Sequence, residues 1–163
     1  MIVTNNPKDS ALLVQNGLPE KKIFTSMPYF DDYSEVQRKI EGRNILFFGA
    51  MSREENYLSA IWFVDNVMPK LQELNVRFLI AGSNPPEILK KKESESVKIL
   101  GYTSDMAKYF SSCICLVAPL KLGAGIKVKI LEAMSAGIPV LTNEIGIEGI
   151  EAVNEKEYIL CSS

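Results

Sequence analysis

Short β-branched and aromatic runs alternate with longer, helix-patterned stretches along most of this chain, and no other feature narrows its possible folds as far. The runs that read as strands are Asn44–Phe48 (NILFF), Val76–Ala81 (VRFLIA), Val97–Leu100 (VKIL), Ile114–Ala118 (ICLVA), Pro139–Thr142 (PVLT) and Tyr158–Cys161 (YILC). Each is nearly continuous in apolar residues, as a strand must be when both faces of its sheet are covered. Between them, Tyr57–Leu74 carries Ile61, Val64, Met68 and Leu71 at helical spacing. A short stretch follows Pro85 and Pro86, a helix runs from about Ser104 to Phe110, and another holds the residues LEAM. The pattern predicts an α/β fold with a doubly wound parallel sheet and helices on both faces.

Residues 1–42 lack this alternation. Pro7–Gly17 (PKDSALLVQNG) reads as a helix with proline at its start and glycine just past its end, and Lys22–Ser26 as a short strand. Met27–Ser34 (MPYFDDYS) mixes proline, aromatics and acids without period, as a linker does. The chain therefore reads as the end of one domain (1–42) followed by a complete second one (43–163).

Composition excludes several classes. A formal net charge of −2 leaves no general basic surface for nucleic acid or anionic lipid, and the run Lys90–Lys92 is diluted at once by Glu93 and Glu95. The chain has three cysteines and no histidine, so a structural zinc site is not expected and none of these residues marks a metal. Cys113, Cys115 and Cys161 sit in hydrophobic or terminal contexts, which suits a reducing, cytoplasmic compartment better than a disulfide framework. No apolar run approaches the ~18 residues of a membrane span, and the amino terminus lacks the order of a signal peptide.

In an open parallel sheet, ligands bind in the loops beyond the carboxyl ends of the strands. Those loops are Gly49–Glu54 (GAMSRE), Gly82–Pro86 (GSNPP), Gly101–Asp105 (GYTSD), Pro119–Lys127 (PLKLGAGIK) and Asn143–Gly149 (NEIGIEG). Their glycines either bring backbone N–H groups close to a ligand or merely end strands. GAGIKV has the first two glycines of a dinucleotide loop but Val128 in place of the third, and no ATPase-type phosphate loop occurs. What remains is a glycine turn feeding a helix that opens with Lys127 and Lys129. Helix amides and dipole there favour an anion by roughly 0.3–1 kcal/mol, and a lysine bond to phosphate adds about 1.5–3 kcal/mol. Glu132, early in the same helix, has the reach to accept bonds from two neighbouring hydroxyls of a ribose. The other reading leaves both lysines facing solvent and Glu132 a surface acid.

The segment PLKLGAGIKVKILEAMSAGIPVLTNEIGIEGI resembles the signature of the carboxyl-terminal domain of group 1 glycosyltransferases, a retaining family of GT-B architecture. FFGAMSREENYLSAIWFVDNVMPKL is similar to that domain's opening strand, loop and helix, and ILGYTSDMAKYFSSCICLVAPL to its glycine–aromatic–acid loop, helix and strand. The resemblance covers about residues 44–150, in order. It implies a Rossmann-like domain, one half of a GT-B fold, with residues 1–42 as the last helix and strand of the partner amino-terminal domain and the linker. It implies that Glu132 binds the donor ribose, that the backbone around Tyr102 and Leu120 frames the base, that Gly49 lies beneath the diphosphate, and that Gly123, Ala124 and Gly125 approach the diphosphate or sugar.

The sequence departs from the family in two places. Ala124 stands where many members carry a glutamate eight positions before the one in LEAM, and Ala50 stands where many have an arginine, with no lysine between Gly49 and Lys70. Lys127 is then the natural substitute cation and the candidate catalytic group, with Arg53 second. The implied activity is sugar transfer from a nucleotide-diphosphate sugar to a glycan or other acceptor, without a cofactor, and with acceptor contacts in the missing amino-terminal domain. The fragment alone is expected to turn nothing over. A nucleotide-sugar epimerase of the same architecture and a non-catalytic nucleotide-binding module are the alternatives.

Overall fold

The structure is a computed structural model that describes residues 1–161; the final two positions of the expected 43–163 domain lie outside the described residues. The chain opens with β1 (Ile2–Thr4), α1 (Pro7–Gln15) and β2 (Ile23–Thr25), the two strands pairing in parallel from Ile2–Ile23 to Thr4–Thr25. Asn6 caps α1 by accepting the N–H of Lys8 at 2.8 Å, Pro7 occupies the first turn, and Gly17 takes a φ of +87° beyond the end. β1 is not among the strands expected from the sequence.

Residues 27–42 form an extended strap laid on the sheet domain. The Tyr33 N–H donates to Ser135 Oγ at 3.0 Å, its ring packs edge-on against Phe110 at 4.8 Å, and the Arg38 guanidinium donates to the Cys113 carbonyl at 2.7 Å. Backbone bonds from Lys39 to Ser111 and from Glu41 to Ser112 continue the attachment.

The rest of the chain builds one six-stranded sheet from β3 (Asn44–Phe48), β4 (Arg77–Ala81), β5 (Val97–Gly101), β6 (Cys115–Ala118), β7 (Val140–Thr142) and β8 (Ile159–Leu160). The spatial order is β5-β4-β3-β6-β7-β8 and every neighbouring pair is parallel. This is the doubly wound order of a Rossmann-like sheet. The helices between strands are α2 (Glu54–Asn66), α3 (Glu87–Lys90), α4 (Met106–Ser112), α5 (Val128–Ser135) and α6 (Glu144–Ile147).

Strand alternation sorts the core into two layers. Ile45 and Phe47 face Ala60, Phe63, Phe78 and Ile80, whereas Leu46 and Phe48 face Phe110, Leu116, Ile130 and Val140. Each fully buried Phe or Leu contributes about 1.5–3 kcal/mol over leaving it exposed. Aromatic pairs knit both layers, Phe63 to Phe78 at 4.5 Å and Phe48 to Phe110 at 5.4 Å.

The expected helix over Tyr57–Leu74 is two elements. It begins earlier, at Glu54, where two acids occupy the first turn, and it stops at Asn66, giving way to a 3-10 segment over Met68–Leu74. Pro69 is the reason, since it has no N–H and its ring clashes with the preceding turn. α4 is displaced by two residues from Ser104–Phe110 because Asp105, accepting from the Lys108 N–H at 3.1 Å, fixes its start. α6 lies in a stretch expected to be loop, where Asn143 caps a single turn by accepting the Gly146 N–H.

Candidate functional site

Sequence order along the sheet reverses between β3 and β6: β3 to β5 step one way, β6 to β8 the other. The carboxyl ends of β3 and β6 therefore open a crevice at the point where ligands bind in open α/β sheets. The loop after β3 holds Gly49 and Arg53, and the loop after β6 holds Leu120 through Lys127.

Two glycines make the floor of this crevice. Gly49 and Gly82 have φ of +153° and +152°, and a Cβ on Gly82 would lie 1.7 Å from the Gly49 carbonyl oxygen. The loops after β3 and β4 thus touch backbone to backbone, secured by the Gly49 N–H on the Ala81 carbonyl and the Met51 N–H on that of Ser83. Behind them, α2 and α5 are preceded by Arg53 and Lys127 at the cap positions, neither of which caps its helix with its side chain, so first-turn amides of both helices remain without a side-chain acceptor.

The side chain at the centre is that of Lys129. It reaches from α5 across to α2, donating to Asn56 Oδ1 at 2.5 Å, and its ammonium stands 4.7 Å over the Phe47 ring. A Cβ on Gly49 would lie 2.8 Å from it. Asn56 is buried and is itself fixed by donating to the Ala50 carbonyl at 2.9 Å. Burial pushes the Lys129 amine down to about 7; Glu55 and Glu132 oppose this, Arg53 and Lys127 add to it.

Lys127 is partly buried and turns back on the glycine turn, donating to the Gly125 carbonyl. Burial lowers its pKa, with Glu148 acting the other way. Glu148 accepts the Gly125 N–H at 3.2 Å and pairs with Lys8 at 2.7 Å, so it pins the turn from the far side. Gly123 approaches the same lysine: a Cβ there would sit 3.2 Å from Lys127 Cε. Glu132 is partly buried, which raises its pKa, while a backbone hydrogen bond from Asp31 in the strap lowers it.

The remaining candidates are spread more widely. Tyr102 and Ala124 are exposed, and Arg53 points outward in an ion pair with Glu55 at 2.5 Å. The Leu120 side chain is in the core at 2% exposure, so only its backbone can meet a ligand, and its carbonyl already accepts from Asn143 Nδ2 at 2.7 Å. The structure groups Gly49 with Lys129 and Asn56, groups Gly123, Gly125 and Lys127 with Glu148, and sets Glu132 further along α5, with Lys129 sensing both Lys127 and Glu132. Sequence reasoning missed Asn56 and Glu148. For Asn56 a signal existed, an amide on the core-facing side of α2 beside Ser59, Ala60 and Phe63.

Among the described residues no group of three or more acidic or sulfur ligands could hold a metal, and no helix is long and apolar enough to cross a membrane. Burial pushes the Cys113 and Cys115 thiols up to about 11, and all three cysteines are unpaired.

The chain is 28% identical over 131 residues, 73% of its length, to an uncharacterized 44.6 kDa protein in the cps region of Klebsiella pneumoniae, and it spans 34% of that relative. Its fold is similar to that of a TarM mutant from S. aureus in complex with fondaparinux, alpha-GlcNAc-glycerol and UDP (TM-score 0.78, 17% identity, 97% of this chain and 33% of that one). It is similar also to Anabaena HepE in complex with UDP and glucose (TM-score 0.72, 14% identity, 99% of this chain and 49% of that one). A pneumococcal O-GlcNAc transferase, GtfA, in complex with UDP and GlcNAc gives a TM-score of 0.71 at 16% identity, over 99% of this chain and 34% of that one. At these identities the structural likeness carries the fold alone, a half of the GT-B architecture. The family model for glycosyl transferases group 1 matches residues 42–162, the whole six-stranded sheet together with its glycine loops, and the chain therefore belongs to the group 1 glycosyltransferase family.

Proposed function

We propose that this chain is the donor-binding half of a cytoplasmic glycosyltransferase that moves a sugar from a nucleotide-diphosphate sugar to a glycan acceptor. The observation that carries the reading is the meeting of the family's glycine loops, the uncapped starts of α2 and α5, and Lys127 and Lys129 at the reversal of the sheet order. Residues 1–42 belong to the amino-terminal domain and the linker, and that domain supplies the acceptor site. Glu132 holds the donor ribose, the backbone near Tyr102 and Leu120 frames the base, and Gly49 and the Gly123–Gly125 turn lie against the diphosphate or sugar. Lys127 offsets the charge that builds on the leaving diphosphate. Such preorganised electrostatic stabilisation needs no protein nucleophile. Arg53 adds charge at the rim of the same crevice.

Two of the similar structures, HepE and GtfA, hold UDP with a sugar, which makes UDP-sugars the first donors to try. An epimerase gains no support from the comparisons. The test is calorimetric titration of UDP-, GDP- and ADP-sugars into wild type and Glu132→Ala. Loss of two hydroxyl bonds to a carboxylate is worth about 1.5–3 kcal/mol each at most, so Glu132→Ala should weaken binding at least tenfold. Equal affinities for the two proteins overturn the ribose assignment.

A further inference from the structure

We propose that Lys129, held on the Asn56 amide beneath Gly49, is the group against which the donor's diphosphate docks, and that nucleotide binding is thereby coupled to uptake of a proton from solvent. The inference rests on the donor-binding reading above and assigns that site a second cation. The loop after β3 offers no basic side chain on its inner side: Ala50 is neutral and Arg53 turns out to Glu55. α5 fills the gap from behind, since the Lys129 amine lies where a side chain on Gly49 would be, 2.8 Å from the Cβ position. Glycine at that position, with φ +153°, leaves the backbone thin over the amine.

The surroundings explain the coupling. The amine is in contact with an aromatic face and one amide oxygen, and no carboxylate bonds to it. The charged groups that face it are Glu55 and Arg53 from the start of α2 and Lys127 and Glu132 from α5, two acids against two bases, so burial decides and lowers its pKa to about 7. At slightly alkaline pH most molecules hold a neutral amine. A diphosphate brought to the crevice supplies the missing countercharge and restores the ammonium: the amine takes one proton from the buffer and becomes the donor of a charge-assisted bond to a phosphate oxygen.

The experiment is calorimetry of UDP, GDP and ADP binding to the whole chain at pH 7.5, in buffers of different ionisation enthalpy, for wild type, Lys129→Met and Lys129→Arg. The slope of heat against buffer enthalpy counts protons, and subtracting the Lys129→Met slope removes those of the nucleotide itself. Wild type should take up about 0.7 more proton per nucleotide than Lys129→Met, from an amine titrating near neutrality. Lys129→Met should bind at least tenfold more weakly. Lys129→Arg, always charged, should bind without the extra uptake. Binding by wild type with no extra uptake, or with the same uptake in Lys129→Met, overturns the proposal while leaving the donor-binding reading standing. If wild type binds none of the three nucleotides, the donor-binding reading fails and this proposal falls with it.

Discussion

Replacing Lys129 by methionine should change how folding stability depends on pH, and the size of the change follows from the environment of the amine. Its pKa is about 7 in the folded chain and 10.5 when unperturbed. The folded value is the lower one, so below pH about 7 both states are protonated and the cost of burying the charge is fully present. As pH rises through the folded pKa, the native state gives up its proton while the unfolded state keeps it, and stability increases. The limiting slope is about 1.36 kcal/mol per pH unit, so integration from pH 7 to 8.5 gives a gain of about 1.6 kcal/mol. The methionine variant has no such rise. Its absolute stability is a poor readout, because Asn56 Oδ1 loses its partner, at about 1–3 kcal/mol. The assay is urea unfolding followed by fluorescence of Trp62, the single tryptophan, at several pH values between 7 and 8.5, a range that stays below the pKa of about 11 of Cys113 and Cys115. Parallel stability curves for wild type and Lys129→Met would refute the argument that Lys129 is a desolvated amine.

Gly82→Ala should destabilise the chain by more than about 3 kcal/mol, since its Cβ would fall 1.7 Å from the Gly49 carbonyl oxygen at a φ of +152°; a thermal transition lowered by only a degree or two contradicts this. Thiol labelling of the native chain at mildly alkaline pH should modify Cys161 first, with Cys113, buried beside the strap and α4, reacting only on unfolding. Equal rates for Cys161 and Cys113 would show that the strap and α4 do not protect Cys113.

Much of the fold was legible because both faces of the sheet are covered. Six apolar runs, NILFF among them, have no competing reading as amphipathic helices, and each became a strand within one or two residues of its expected bounds. The boundaries that moved are set by single groups acting over one turn: Pro69 ending α2, Asp105 starting α4, Asn143 starting α6. The glycine turn, Lys127 and Glu132 could be picked out from residue types and spacing. The partner of Lys129 could not, because Asn56 is 73 positions away and α2 and α5, which cover opposite faces of the sheet, approach only beyond the carboxyl end of β3. Nor could the pinning of the turn by Glu148, which depends on how α6 is folded.

The strap has a mechanical consequence. Tyr33 is fastened to Ser135 at the end of α5, and the backbone of Asp31 reaches Glu132 on the same helix. Any swing of the residues that precede Tyr33 must therefore pivot on its amino side. The amino-terminal strands are thereby tethered at two separate points, the carboxyl end of α5 and, through Lys8 and Glu148, the glycine turn.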